Sequence, residues 1–299
     1  MKRILSIDGG GIFGLIPAAI LSFIEHNSTK PSWELFDLIA GTSTGGIIAC
    51  GLGIGVSADE LVTLYRDYGS DIFSRDPEWI AETLDGMVGP KYPADDLEKH
   101  LKAILGDRVL SSALTHLLIP AYQCDKPGPL LMKSWKTPDF RLWQAARATS
   151  AAETYFPAMV MTDGDNKQYV CADGGTYANN PSLCAYASAR ELWPEETEFK
   201  ILSLGTGASP DKIGIECVHY GLVDWAPHIS GIFMNGMSDT VSYIVERLPG
   251  VQHLRVNTDI PSNINRAMDD AEQDNIDAIY LLAESLVNEY SDALKEFMK

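Results

Sequence analysis

Long apolar runs are missing from this sequence. The stretch over residues 47–56 falls well short of the ~20 residues that a membrane-spanning helix needs. The opening Met1-Lys2-Arg3 passes at once into Ile4-Leu5-Ser6-Ile7, which is too short for a signal-peptide core. Basic residues are also scarce: 23 Lys and Arg stand against 41 Asp and Glu, giving a net charge of −18. Phosphate recognition needs clustered cations, so DNA and RNA are excluded as expected partners. The same deficit disfavours electrostatic adhesion to anionic lipid, so any membrane contact has to be mainly apolar. Five scattered cysteines (Cys50, Cys124, Cys171, Cys184, Cys217) form no C-x-x-C pair, which argues against both zinc and a disulfide framework. A reducing compartment and a cytoplasmic location fit best. With no internal repeat, low-complexity linker or sharp shift in composition, one domain over residues 1–299 is expected.

Glycine, by contrast, is placed with care. Ile4 to Ile7 reads as a short buried strand, followed by Asp8-Gly9-Gly10-Gly11-Ile12-Phe13-Gly14 and then by apolar residues at 16, 19, 20, 23 and 24, which is helical spacing. Pro17 suits the first turn of that helix. A second apolar run, residues 35–40, stops at Gly41-Thr42-Ser43-Thr44-Gly45, and an apolar segment rich in small residues restarts at Gly46. This is G-x-S-x-G, the pattern of a serine on a tight strand-to-helix turn, its hydroxyl raised above the sheet edge. Strand, glycine loop, helix, strand, serine turn and helix within about 55 residues is the alternation of an α/β sheet with crossovers. Gly9, Gly11 and Gly14 also satisfy G-x-G-x-x-G, so a dinucleotide fold is a rival reading, with Asp37 roughly where its ribose-binding acid belongs. The other reading is an oxyanion loop, and only that one uses Ser43.

Further along, Ser57 with acidic residues behind it marks a helix start, and residues 117–122, 130–134, 169–172 and 199–204 read as strands. Residues 141–152 read as a helix that packs closely through its alanines. A third region that matters chemically is Asp173-Gly174-Gly175, where a carboxylate at a strand end projects into a crevice or, alternatively, forms an Asx-turn. Residues 220–237 are rich in Trp, Phe and Met; a buried helix-loop is expected there, with a lipid-facing lid as the alternative. Two helices, from Asp269 to Ala283 and then to Lys299, are expected to close the fold.

A serine hydroxyl needs a base. His219, His228 and His253 follow Asp173, but none sits in a glycine-flanked loop at a clear strand end, and the serine turn follows only the second strand. A Ser-His-Asp triad is therefore less favoured than direct proton transfer to Asp173. An Asp is a weak base at its ordinary pKa of about 3.9, so geometry has to compensate.

These motifs, with residues 148–157 (Ala-Thr-Ser-Ala-Ala-Glu-Thr-Tyr-Phe-Pro) and 202–207 (Leu-Ser-Leu-Gly-Thr-Gly), resemble those of patatin-like phospholipases, in the same order, over residues 3 to about 210. The resemblance implies an α/β three-layer sandwich with a mainly parallel central sheet and helices on both faces, followed by a helical closure over residues 211–299. It implies a serine lipid acyl hydrolase of phospholipase A or lysophospholipase type, with Ser43 as nucleophile and Asp173 as dyad base. The amides of Gly9, Gly10 and Gly11, with Thr44, would form the oxyanion hole; Gly14, Gly41, Gly45, Gly174 and Gly175 are the remaining motif glycines. No metal or cofactor is called for, and the substrate would be a phospholipid or lysophospholipid at a membrane surface. Bacterial proteins of this kind also serve as antiviral effectors switched on by a cyclic oligonucleotide, so a cyclic-nucleotide activator and a homo-oligomer are further expectations. One departure stands out: Phe13 occupies the position where the family's glycine loop usually carries Arg or Lys.

Overall fold

Alternation along the strands decides the architecture. In the computed structural model, which describes residues 1–136, 138–209 and 213–299, eight strands form one sheet. They are β1 (Lys2–Ile7), β2 (Leu38–Gly41), β3 (His116–Gln123), β4 (Gly128–Lys133), β5 (Met159–Thr162), β6 (Gln168–Asp173), β7 (Phe199–Leu204) and β8 (Val251–Val256). The order is β5-β6-β3-β2-β1-β7-β8, with β4 paired to β3. From β3 through β8 the neighbours run parallel, whereas β4, β5 and β6 add antiparallel pairs at one side.

Successive residues of a strand point to opposite faces. Leu5, Ile7, Ile39, Leu202 and Leu204 belong to one apolar core, and Ile4, Leu38, Ala40, Phe199 and Ile201 to another. The central strands are therefore buried on both sides, as a parallel sheet requires. Over the first face lie the helices Leu15–Ser28, Ala58–Ile72, Asp95–Leu105, Leu142–Thr149 and Gln273–Phe297. The second face is covered by Ser182–Leu192 and by the C-terminal end of Leu222–Val245, whose Val245 joins the second core. This is the expected three-layer arrangement with helices on both faces.

The helix start at Ser57 is a full capping box. The Ser57 hydroxyl accepts from the Glu60 amide at 3.3 Å, and the Glu60 carboxylate accepts from the Ser57 amide at 2.9 Å.

Three expectations need correction. The C-terminal closure is not purely helical, because β8 lies within it and adds a parallel strand to β7; its start, expected near 211, falls on residues outside those described. The final segment is one helix, Gln273–Phe297, with no Gly or Pro to break it. Asp269 lies ahead of it in a loop, where its carboxylate accepts from Tyr92 at 2.7 Å and pairs with Lys91. Finally, the N-terminal half of Leu222–Val245 is exposed rather than buried: Leu222 and Val223 are 82% and 83% accessible, and Phe233 is 61%.

Candidate active site

Three chain segments meet above the C-terminal ends of β1, β2 and β6. The sharpest bend is at Ser43, between β2 and the helix Thr44–Leu52, where φ is +53° and ψ −124°. A non-glycine residue pays strain to sit there, and such strain concentrates where function needs a side chain thrust out of the fold. The bend is held from outside: the Ser43 amide donates to the Thr149 hydroxyl at 3.0 Å, and the Thr42 hydroxyl donates to the Ala178 carbonyl at 2.6 Å. Gly45 is required because a Cβ there would lie 2.3 Å from the Ile7 carbonyl oxygen, where helix and first strand converge.

The glycine loop after β1 is equally constrained. Its Gly9 carbonyl accepts from the Thr206 hydroxyl at 2.6 Å, and Ile12 donates to the Met268 carbonyl at 2.9 Å. Gly11 has φ +58°, and a Cβ on it would approach the Met268 carbonyl oxygen to 2.2 Å. The Gly9 amide donates to the Asn179 carbonyl at 3.1 Å, so it is already engaged and does not point a free donor at the site. Among the described residues, Gly10 and Gly11 have no such partner for their amides, and both line the cavity, as does Thr44 at the first position of its helix.

Asp8 anchors this loop. Its carboxylate is 2% exposed and takes a two-pronged contact from Arg255 of β8, at 3.0 and 2.6 Å, with the Ser238 hydroxyl donating at 2.9 Å. Burial nevertheless raises its pKa above the ordinary Asp value, against the pull of Arg255.

Asp173 ends β6 and is 5% exposed. One carboxylate oxygen accepts from the Gly175 amide at 2.6 Å, so the Asx-turn and the projecting carboxylate are the same structure. Burial pushes its pKa up to about 7; the Gly175 bond and the Ser43 hydroxyl pull it back, Glu153 adds to the rise, and Arg147 opposes it. Ser43 and Asp173 line the same cavity, and the Ser43 hydroxyl lowers the pKa of the carboxylate. Such contacts commonly tighten only when substrate is bound.

Ser43, Asp173, Gly10, Gly11 and Asn179 open onto one cavity of about 440 Å³, whose walls include Ile47, Ile72, Phe73, Phe156 and Met234. That is a greasy slot with polar groups at one end. Among the described residues, no histidine lines it. His253 lies on β8 as partner of Ile201, and burial lowers its pKa to about 4. Asp37 precedes β2, at the opposite end of the strand from the glycine loop, and is bonded by Lys2 at 2.8 Å and the Arg3 amide at 2.9 Å. It is therefore out of reach of a ligand on that loop, which removes the acid that the dinucleotide reading needs. Phe13 is 2% exposed and part of the core, so the side chain at the usual basic position does not reach the cavity.

A family profile described as patatin-like phospholipase matches residues 5–186. The chain belongs to the patatin-like phospholipase family. It is 32% identical to Patatin-like protein 2 of Arabidopsis thaliana, over 96% of this chain and 83% of that protein. Patatin-12 of Solanum tuberosum is 27% identical, over 100% of this chain and 89% of that protein. Among solved structures, VipD from Legionella pneumophila aligns with a TM-score of 0.39 and 11% identity, over 95% of this chain and 67% of that one. This patatin-like chain is a lipid ester hydrolase.

Sequence reasoning missed Asn179, Ser238 and Arg255 and gave no role to Thr149 and Thr206 within their motifs; all five hold the loops in place. Arg255 left a signal: an arginine flanked by Leu254 and Val256 in an apolar strand needs a buried partner. Asn179 Oδ1 is buried without a hydrogen-bond partner beside Gly9 and Gly175, and an Asn-Asn pair six residues after Asp173 was its trace in the sequence.

Proposed function

We propose that this protein cleaves acyl esters of membrane glycerophospholipids or lysophospholipids through a Ser43–Asp173 dyad. The observation that carries the reading is a carboxylate buried beside the strained serine, with its pKa lifted by desolvation to about 7, at the polar end of an apolar cavity. A carboxylate of ordinary pKa is a poor base at neutral pH; one near 7 is matched to the task. In the first half-reaction Asp173 takes the Ser43 proton as Oγ attacks the ester carbonyl carbon. The negative charge gathers on the carbonyl oxygen, within reach of the free Gly10 and Gly11 amides and the helix N-terminus at Thr44. As the tetrahedral species collapses, the C–O bond to the alcohol breaks and Asp173 returns its proton to that oxygen. Water then attacks the acyl-Ser43 ester, giving its proton to Asp173, and Ser43 Oγ recovers it as the fatty acid leaves. The apolar walls would take the acyl chain, worth about 0.8 kcal/mol per buried CH₂.

Fatty-acid release from mixed phospholipid vesicles tests this. Wild type is expected to release fatty acid, and folded Ser43→Ala and Asp173→Asn proteins are expected to release none above background. Release at the wild-type rate by either variant would rule out the dyad. If neither wild type nor variants act on vesicles while a small activated ester is cleaved through Ser43, the site is competent but latent.

A further inference from the structure

The exposed start of the helix Leu222–Val245 is unusual for a folded protein. Leu222, Ile229, Ile232 and Phe233 recur at the i, i+3, i+4, i+7 spacing of one helical stripe, and all four are exposed, Leu222 at 82% and Phe233 at 61%. Trp225 falls on the same stripe and packs edge-on against Tyr220, with ring centroids 5.5 Å apart. Just before it, Ile215 and Val218 of the turn Ile215–His219 are 84% and 66% exposed. An apolar face with an aromatic pair at its edge is the composition of an interfacial helix rather than of a solvated one.

The position of this face says what covers it. Ile229, Phe233, Met234 and Met237 also line the cavity that holds Ser43 and Asp173, so the exposed stripe and the cavity wall are neighbouring sides of the same helix. A two-chain lipid that left its bilayer through water to reach Ser43 would expose both acyl chains on the way. A helix that touches the bilayer on one side and the cavity on the other removes that step. Charge narrows the choice further. Residues 213–246 contain no Lys or Arg, while Glu216, Asp224, Asp239 and Glu246 make the segment acidic, and the chain as a whole carries −18. Such a surface gains nothing from an anionic membrane.

We propose that the stripe Leu222, Trp225, Ile229, Ile232 and Phe233 docks this protein on a zwitterionic lipid surface by apolar insertion, with the cavity mouth against the lipid. The inference rests on the lipid-hydrolase reading, but docking itself does not require turnover. It is therefore tested in the Ser43→Ala background, where binding is scored without cleavage. The probes are phosphatidylcholine vesicles and vesicles containing one-third phosphatidylserine. Leu222→Asp combined with Ile232→Asp is the test variant, since neither side chain lines the cavity or enters a core.

Co-flotation of Ser43→Ala protein with phosphatidylcholine vesicles is expected to resist added salt, to weaken on the phosphatidylserine vesicles, and to drop at least tenfold in the double variant. In the Ser43-containing double variant, cleavage of a short soluble ester should stay within twofold of wild type while vesicle hydrolysis falls with binding. Unchanged flotation of the variant would overturn the proposal. So would binding that strengthens on phosphatidylserine and is lost in salt. If the double substitution instead turns a dimer into a monomer by light scattering and leaves flotation intact, the stripe is a contact between copies and the proposal is wrong. An inactive but vesicle-bound wild type would leave docking supported and count against the hydrolase reading alone.

Discussion

Replacing Asp173 by Asn should destroy activity and stabilise the fold, and the two effects share one cause. The folded-state pKa of Asp173 is about 7, raised mainly by burial from an ordinary value of 3.8. Between those two pH values the folded protein holds a proton that the unfolded chain has lost, so stability falls as pH rises, and the loss is complete above about 7. A shift of about 3 units at about 1.36 kcal/mol each puts the full cost at about 4 kcal/mol, as an upper bound. At pH 5.5 part of that cost is already present, and the remaining ~1.5 units between there and the folded pKa correspond to about 2 kcal/mol. Asparagine has no charge to desolvate and keeps an oxygen for the Gly175 amide. Urea unfolding of wild type and Asp173→Asn at pH 5.5 and 8.5 should therefore show the variant's advantage growing by about 2 kcal/mol across that interval. Other titrating groups are common to both proteins and cancel in the difference. A stability difference that stays constant between the two pH values would refute the argument that burial sets the basicity of Asp173.

Other outcomes follow from the same structure. Activity on a soluble ester should rise with pH through about 7 and then level, as Asp173 ionises; a profile falling over that range would contradict its role as base. Arg255→Ala leaves the Asp8 carboxylate buried and uncompensated, at a cost of about 3–5 kcal/mol by urea unfolding, and an added Asp8→Asn should recover part of it. Gly45→Ala forces a methyl group against the Ile7 carbonyl and should cost at least about 1–3 kcal/mol while displacing Ser43, seen as a lower melting temperature with lost esterase activity. A thiol reagent should modify exposed Cys124 first. Cys50 and Cys171 are buried, with the Cys171 thiol pushed up to about 12, and should react only on unfolding.

Much of the site was legible because it depends on backbone shape. Gly41, Gly45 and the Gly9–Gly11 run stand where a Cβ would strike a neighbouring chain, and only one residue type fits such places, so sequence records them. Ser43 and Asp173 were legible through those glycines. Asn179 and Arg255 were not, and Thr149 stood in a motif without a role, because all three act through contacts with segments between about 100 and 250 positions away, and no local pattern encodes a partner. Gly9 shows the limit of motif reading: it is part of the loop, yet its amide is used to pin the loop to Asn179, leaving Gly10 and Gly11 to face the cavity. β8 went unread because Gln252, His253 and Arg255 interrupt its apolar residues, as befits the last strand of the sheet. The helix Leu222–Val245 was misjudged for the opposite reason. Its apolar residues were read as core, since composition cannot distinguish a buried side chain from an exposed one.

The central claim is that Ser43 carries the acyl group during turnover. The direct measurement is intact and peptide mass spectrometry after rapid acid quenching of the enzyme with a slowly deacylating p-nitrophenyl ester. One added acyl mass is expected, located on the peptide containing Ser43 and absent from Ser43→Ala. An adduct on another residue, or undiminished acylation of Ser43→Ala, would contradict it.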